Sequence, residues 1–556
     1  MAHRATTSIL RIVVGAALAS AGLGLGACSG ISDCGDDAAK CAELLNQNAA
    51  ACAAAFQLKQ MDSKRKACAH AVDEAGDEKI EAAVPGLLAI VSAPESGVHD
   101  DNHRSEAAKA LGKIASKDAV EGLLAAIDFS VGTSGDPKDK MGNRSNEEIA
   151  EALGSIGDAR AVPKLVQLME RTRDNNVALW AMRSLGKIRS PDAVEPLTKM
   201  ALEHENKFMR KNAVVALGDI GDPSAIDALV QMMFIEFQGV SFYKEASFAL
   251  FQVGPEAVDE LLETMAMKNE AVNAVFEQSG GAKDSAVIAK CAVVLGDLRD
   301  KAAVEPLIDQ YEKAIKKNDP IVIREVAFAL GSLNDPRAVP ALMKNMGTID
   351  ASLRERVMES LNKIGDRQPV PQMIGATTAS DFVKRCVKEG IGKSACEGDL
   401  LSRARAQKAA ADMATHLVDA DNLEALKKAF DGEENAELKK YFEDRFAAAQ
   451  LVGECKDDVP CWAKKAESDN ALVREKAYWE LGRIQGPEAQ KILAKGLRDR
   501  KRKARAAAIY SYWKFGDSSV VPQLEQQLEK EAGAADFLVV NEDLKRLYLS
   551  LKRQEA

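Results

Sequence analysis

Strand-forming runs, histidines and catalytic signatures are what this chain mostly lacks. β-Branched residues alternating with polar ones are missing, so no β-strands are expected. Aromatic residues make up only 5% of the 556, while Ala, Leu, Glu and Lys abound, the composition of a helical protein. There is no Gly-x-Ser-x-Gly, no phosphate-binding loop and no His-Glu-x-x-His. Of six histidines, His3 lies in the leading segment, and His99 and His103 form an i,i+4 pair without a third ligand. The expectation is therefore no catalytic residues, no bound metal and no cofactor.

Charge and cysteine usage narrow the setting. Acidic residues outnumber basic ones 84 to 74, which argues against nucleic acid as a partner. Arg4 and Arg11 flank or precede an apolar run over residues 12–25, too short for a permanent membrane span. That run ends in Leu25-Gly26-Ala27-Cys28, which resembles the lipobox of bacterial lipoproteins. The resemblance implies cleavage before Cys28 and acylation of its thiol and new amino group, a stable anchor. Ser29 in place of Asp implies, by the same resemblance, the outer membrane. Loss of residues 1–27 leaves 72 basic residues against 84 acidic ones. The expected location is the bacterial cell envelope, lipid-anchored and facing the periplasm. Eight cysteines suit an oxidising compartment: Cys34, Cys41, Cys52 and Cys68 near the start, then Cys386 with Cys396 and Cys455 with Cys461. Three connectivities are open to the first four, whose spacings are not those of a zinc site. Cys291 stands alone and reads as a buried thiol.

Against this background one phrase recurs ten times: Leu-Gly-x-Ile/Leu, often with Gly-Asp or Asp close behind. Copies include Leu153-Gly154-Ser155-Ile156, Leu185-Gly186-Lys187-Ile188, Leu217-Gly218-Asp219-Ile220, Leu295-Gly296-Asp297-Leu298, Leu330-Gly331-Ser332-Leu333 and Leu481-Gly482-Arg483-Ile484. Weaker copies lie at Leu250, Leu361 and Tyr512. Most neighbours are about 31–35 residues apart, the period of a solenoid. In one unit, Met209, Ala213, Ala216 and Leu217 share a helical face; Gly218 and Gly221 are expected to break the helix. Asp222 then caps a second helix, with Pro223 in its first position.

This pattern resembles the HEAT-like repeat family, in the short form named for phycobilin lyases. The resemblance implies an all-α fold, an α-solenoid of stacked helix pairs. It also implies that Arg104, Arg210, Arg354, Arg474 and Arg505, at first-helix starts, pair with aspartates of neighbouring turns. The expected organisation is a leading signal over 1–27, a Cys-rich helical cap over 28–78 and a repeat run over 79–370. Degenerate helical repeats over 371–450 and repeats with a terminal cap over 451–556 follow.

A stack of helix pairs displays surface, so protein binding is the expected role. Connections at 92–102, 130–146 and 277–284 should line one edge, where recognition often lies. Two residues before the phrase's Leu, opposite the buried face, stand Val215, Phe248, Val293, Phe328, Trp479 and Tyr510. They are expected to form a discontinuous apolar ribbon for a partner, unless superhelical twist or residues 371–450 cover it. A basic run, Arg498 to Arg505, is expected to be a solvated helix start or a site for phosphates or an acidic partner. Some proteins of the resembled family are enzymes. The deoxyhypusine hydroxylase relatives bind iron through several His-Glu pairs, and this chain has one, His204-Glu205. A lipid-anchored scaffold for an unknown protein partner is thus expected, with a chromophore- or metal-handling enzyme as the alternative.

Overall fold

A computed structural model describes residues 31, 33–56, 62–93, 102–129, 140–278, 284–348, 350–531 and 538–553. The leading segment with Cys28, and most of the connections at 92–102, 130–146 and 277–284, lie outside the described residues. The chain separates into two compact units, Met1–Ile127 and Asp128–Ala556.

In the first unit, helices Ala38–Phe56 and Ser63–Asp77 form a hairpin pinned by the Cys52–Cys68 disulfide, with Cys34–Cys41 closing the turn before it. Asn46 fastens this hairpin to the next helix, Val84–Val91: its carbonyl oxygen accepts from Gly86 N at 2.7 Å, and its amide donates to Ala82 O at 2.8 Å. Asp33, Cys34 and His70 lie close together, but the Cys34 sulfur belongs to the disulfide and is not a thiolate ligand.

The second unit repeats one local design. Helix Lys207–Ile220 ends at Gly221, whose φ of 72° is a left-handed cap. Asp222 accepts from Ser224 N, Pro223 opens a single tight turn, and helix Ile226–Met232 follows. Asp158, Asp300, Asp335 and Asp517 cap the same turn in other repeats. The phrase's first glycine does not break the helix as expected, for Gly218 is helical and buried. Its hydrogen faces the next repeat: a Cβ there would lie 2.7 Å from Ala249 Cα, and 2.6 Å from Ala329 Cα and Ser360 Cα at Gly296 and Gly331. The glycine is thus the contact that lets consecutive first helices approach. Gly331→Ala should cost about 1–3 kcal/mol by overpacking. Gly375→Ala, where nothing lies within 4 Å, should instead stabilise by about 0.5–1 kcal/mol. Urea denaturation of the two variants checks both signs.

The resembled arginine–aspartate ladder is also corrected. Arg474 does pair with an aspartate side chain, Asp499 at 2.7 Å, but two of the others are spent on backbone carbonyls. Arg210 donates to His204 O and Arg354 to Thr348 O, closing carbonyls at the end of the preceding helix. Burial lowers Arg354 to about 10.

Strands were not expected, yet Glu236–Phe237 and Val240–Ser241 pair as an antiparallel hairpin. Gln238 and Gly239 both take positive φ, which a two-residue turn matching strand twist requires. Arg210 lies 4.0 Å from the Phe237 ring centre and holds the hairpin against its repeat.

Candidate functional site

The aromatic ribbon is not a free strip. Lys545 of helix Leu538–Arg553 sits 4.4 Å above the Phe248 ring, and Arg546 beside it pairs with Asp297 at 3.1 Å. Arg299 stacks on Trp513 at 3.6 Å. The Lys363 ammonium lies between Phe328 and Tyr510, 4.6 and 4.4 Å from their centres. Arg367 reaches Glu480 at 3.3 Å, and Lys476 donates to His416 O at 2.8 Å. Positions 248, 297, 299, 363, 367 and 416 thus meet 545, 546, 513, 510, 480 and 476. Apart from 545 and 546, which share one helix, the order reverses, so the late repeats double back over the first helices of the middle ones. The cover expected from twist or from residues 371–450 is present in part, since His416 packs on Trp479 with ring centres 6.1 Å apart, and residues 510–546 add to it from the late repeats. Phe248, Val293, Phe328, Trp479 and Tyr510 are half-buried, and only Val215 of the six remains exposed, at 39%. Sequence phase placed these residues on one face but held no signal that two such faces would meet.

The seam leaves a cleft of roughly 190 Å³ between helices Ala351–Ile364, Leu400–Leu417, Ala471–Ile484 and Arg502–Trp513. Trp479 and Tyr510 form one wall, their rings parallel to within 5° and 6.4 Å apart. Glu355, Glu359, Asp412 and Glu475 supply carboxylates. Glu475 meets His416 Nε2 at 3.2 Å, and Asp412 is held by Arg445 at 2.6 Å and Lys503 at 3.3 Å. Burial alone would raise the Asp412 carboxyl, but Arg445, Lys503 and Tyr441 outweigh it and hold it below the usual range. Three buried polar atoms of the wall have no hydrogen-bond partner in the protein: His416 Nδ1, Asn362 Oδ1 and Trp479 Nε1. Asn362 Oδ1 can only accept and Trp479 Nε1 can only donate, so the wall offers both kinds of partner, while the cation place on the Tyr510 ring is already taken by Lys363. Trp479 and Tyr510 from the ribbon and Lys503 from the basic run were singled out in the sequence, whereas His416, Glu475, Asp412 and Asn362 were not, because they converge only through the doubling back.

The remaining expected residues have clear places. Cys386–Cys396 and Cys455–Cys461 are disulfides, and Cys291 is a buried free thiol whose desolvation pushes its pKa up. In the basic run, Lys503 pairs with Asp412, Arg500 with Asp469 at 3.7 Å, and Arg505 is buried against Asp499 O.

HEAT repeats match residues 162–234, 308–387, 437–513 and 459–535, and the PBS lyase HEAT-like repeat matches 104–129 and 147–171. Together these segments span just over half of the chain. The chain belongs to the HEAT-like repeat family. No curated protein matches it. Among solved structures it is similar to human deoxyhypusine hydroxylase in complex with glycerol, at 20% identity and a TM-score of 0.22, over 52% of this chain and 97% of that one. It is similar to the CpcE–CpcF complex of phycocyanin lyase from Nostoc sp. PCC7120, at 18% identity and 0.24, over 58% and 94%. The Kap95:Nup1 complex gives 12% identity and 0.41, over 92% and 74%.

Among the described HEAT repeats, large apolar side chains are exposed at few places. Phe208 at 61% and Val215 at 39% lie two turns apart on one face of helix Lys207–Ile220. Ile321, at 50%, occupies the position of Phe208 in a later repeat, nine residues before the phrase's Leu.

Proposed function

We propose that this protein is a lipid-anchored, extracytoplasmic HEAT-repeat scaffold that binds a protein partner at the bacterial envelope and is not an enzyme. The anchor is an acylated Cys28, and the membrane is the outer one. One observation carries the binding role. The first-helix face that is covered at Phe248 by Lys545 continues uncovered one repeat earlier, at Phe208 and Val215. An exposed phenylalanine beside an exposed valine on a rigid helix is the kind of anchor that interfaces use.

Phe208→Ser with Val215→Ser should leave thermal unfolding unchanged, because both side chains face solvent. Crosslinking in native membranes followed by mass spectrometry should then recover the partner roughly 10-fold less efficiently. Undiminished recovery would move the binding face elsewhere. Labelling with an acyl precursor, wild type against Cys28→Ala, tests the anchor separately.

A further inference from the structure

Residues 379–401 are an excursion from the repeat stack. Helix Ala351–Ile364 packs directly on Leu400–Leu417, so the stack propagates without the pieces between Val370–Ala376 and Leu400. In that interval, helices Ala379–Lys388 and Lys393–Gly398 are clamped together by the Cys386–Cys396 disulfide. Beneath them is a small core of their own, Phe382, Cys386, Cys396 and Ala406. A disulfide and a core hold this knot in one shape, which a mere tolerated insertion does not need.

What the knot presents is unusual for this molecule. Of the seven large hydrophobic residues exposed among the described residues, four fall within residues 387–401: Val387 at 42%, Ile391 at 38%, Leu400 at 59% and Leu401 at 74%. The segment itself, residues 379–401, is balanced at four basic and four acidic residues, and a positive excess arises only with Arg403 and Arg405 at the start of helix Leu400–Leu417. Residues 384–405 hold six basic residues against three acidic ones, whereas the whole chain carries −10. Arg385 pairs with Asp381 and Lys393 with Glu397. Lys384, Lys388 and Arg405 are exposed and Arg403 is half-buried, all four without an ion pair among the described contacts.

We propose that this knot is a membrane-surface contact that seats Leu400 and Leu401 in the interface of an anionic bilayer, with Lys384, Lys388, Arg403 and Arg405 on lipid phosphates. Two exposed leucines one helical turn from Arg403 and Arg405, with exposed Lys384 and Lys388 on the disulfide-clamped helix, match the layered chemistry of that interface, apolar below and phosphate above. The charge is also local. An anionic surface repels the acidic body and attracts its local cationic spots, of which this is the one with exposed leucines, so the contact favours one orientation. It is a second contact, independent of Cys28.

A thiol-reactive NBD fluorophore on Leu401→Cys in the full chain tests this, since Cys291 is buried and the other described cysteines are in disulfides. Lys495→Cys, on an exposed position of another repeat, is the control label. Both are prepared with Cys28 intact and with Cys28→Ser. On phosphatidylethanolamine–phosphatidylglycerol vesicles the label at 401 should shift to blue emission in both preparations, and the label at 495 should not. Lys384→Glu with Lys388→Glu should weaken that response about 10-fold or more. Water-like emission at 401 on vesicles in both preparations overturns the proposal, even if the wild type floats with lipid through its acyl chains. A shift at 401 that needs added envelope protein also overturns it, in favour of a protein contact.

Discussion

Glu480→Ala should cost the second unit about 3–5 kcal/mol. The Glu480 carboxylate is 2% exposed and receives Lys476 Nζ at 2.8 Å, Arg483 Nε at 2.8 Å and Arg367 Nη2 at 3.3 Å. Lys476 is wholly buried and also donates to His416 O, while Arg367 also donates to Leu417 O at 3.0 Å. One carboxylate therefore ties helix Ala471–Ile484 to the end of Leu400–Leu417 and to the turn after Ala351–Ile364. Burial alone would raise its pKa, yet Lys476, Arg483 and Arg367 together hold it below the usual range. Burial pulls Lys476 downward, and Glu480 opposes that. Alanine removes the counter-charge and strands a buried ammonium, which is the costly way to break such a pair. Replacing both partners, Lys476→Met with Glu480→Leu, should be far milder, because the wholly buried ammonium leaves with its partner while Arg367 and Arg483 remain partly exposed to solvent. The sign of the pH effect follows. A carboxyl depressed in the fold adds stability above its unfolded value and loses it as pH falls through the folded one. The wild type should therefore lose its margin over Glu480→Ala on acidification. Urea denaturation followed by Trp479 fluorescence reads these differences. A cost for Glu480→Ala below about 1 kcal/mol would show that the tie between the layers is not carried here.

The repeats could be read from the chain because each repeat encodes its own geometry within about thirty residues. Asp222 and Pro223 specify a turn locally, Gly221 specifies a left-handed cap, and Leu217 with Ala213 specifies a buried face. The role of Gly218 was misread for an equally physical reason. A glycine near a helix end looks like a stop, and only the neighbour at Ala249 shows that it serves close approach. The hairpin at residues 236–241 escaped because strands of two residues leave no alternation to detect. The seam escaped more deeply. Phe248 and Phe328 look alike whether they face solvent or another part of the chain, and the deciding residues, Lys545 and Lys363, are 297 and 35 positions away from them. The same holds for the cleft, where His416, Glu475 and Asn362 carry no local signature and acquire meaning only from the fold-back.

Lys514→Met should stabilise the protein at neutral pH, by roughly 3 kcal/mol at most. Lys514 follows helix Arg502–Trp513 and lies against the Gly365 turn, its Nζ 3.2 Å from where a Cβ on that glycine would be. Burial, followed by the neighbouring charge of Arg299, pushes it down to about 8 from 10.5. A lysine depressed in this way works against folding wherever both states are protonated. The penalty is full below about 8 and is relieved as pH rises toward 10.5, because over that window the unfolded chain holds more protons than the fold. Methionine fills the same space with no charge to desolvate, so its advantage should be greatest near pH 7 and should shrink steadily toward pH 10.5. Urea denaturation of both proteins at several pH values gives the two curves. If the methionine variant is less stable at pH 7, or keeps a constant lead at all pH values, then the ammonium is well solvated and the turn does not confine it. If the curves converge as expected, this late repeat carries a charge at its meeting point with the Gly365 turn that the fold would be more stable without. The adjoining Arg367–Glu480 pair, which starts from the same turn, is then the interaction that keeps the two layers closed against that cost.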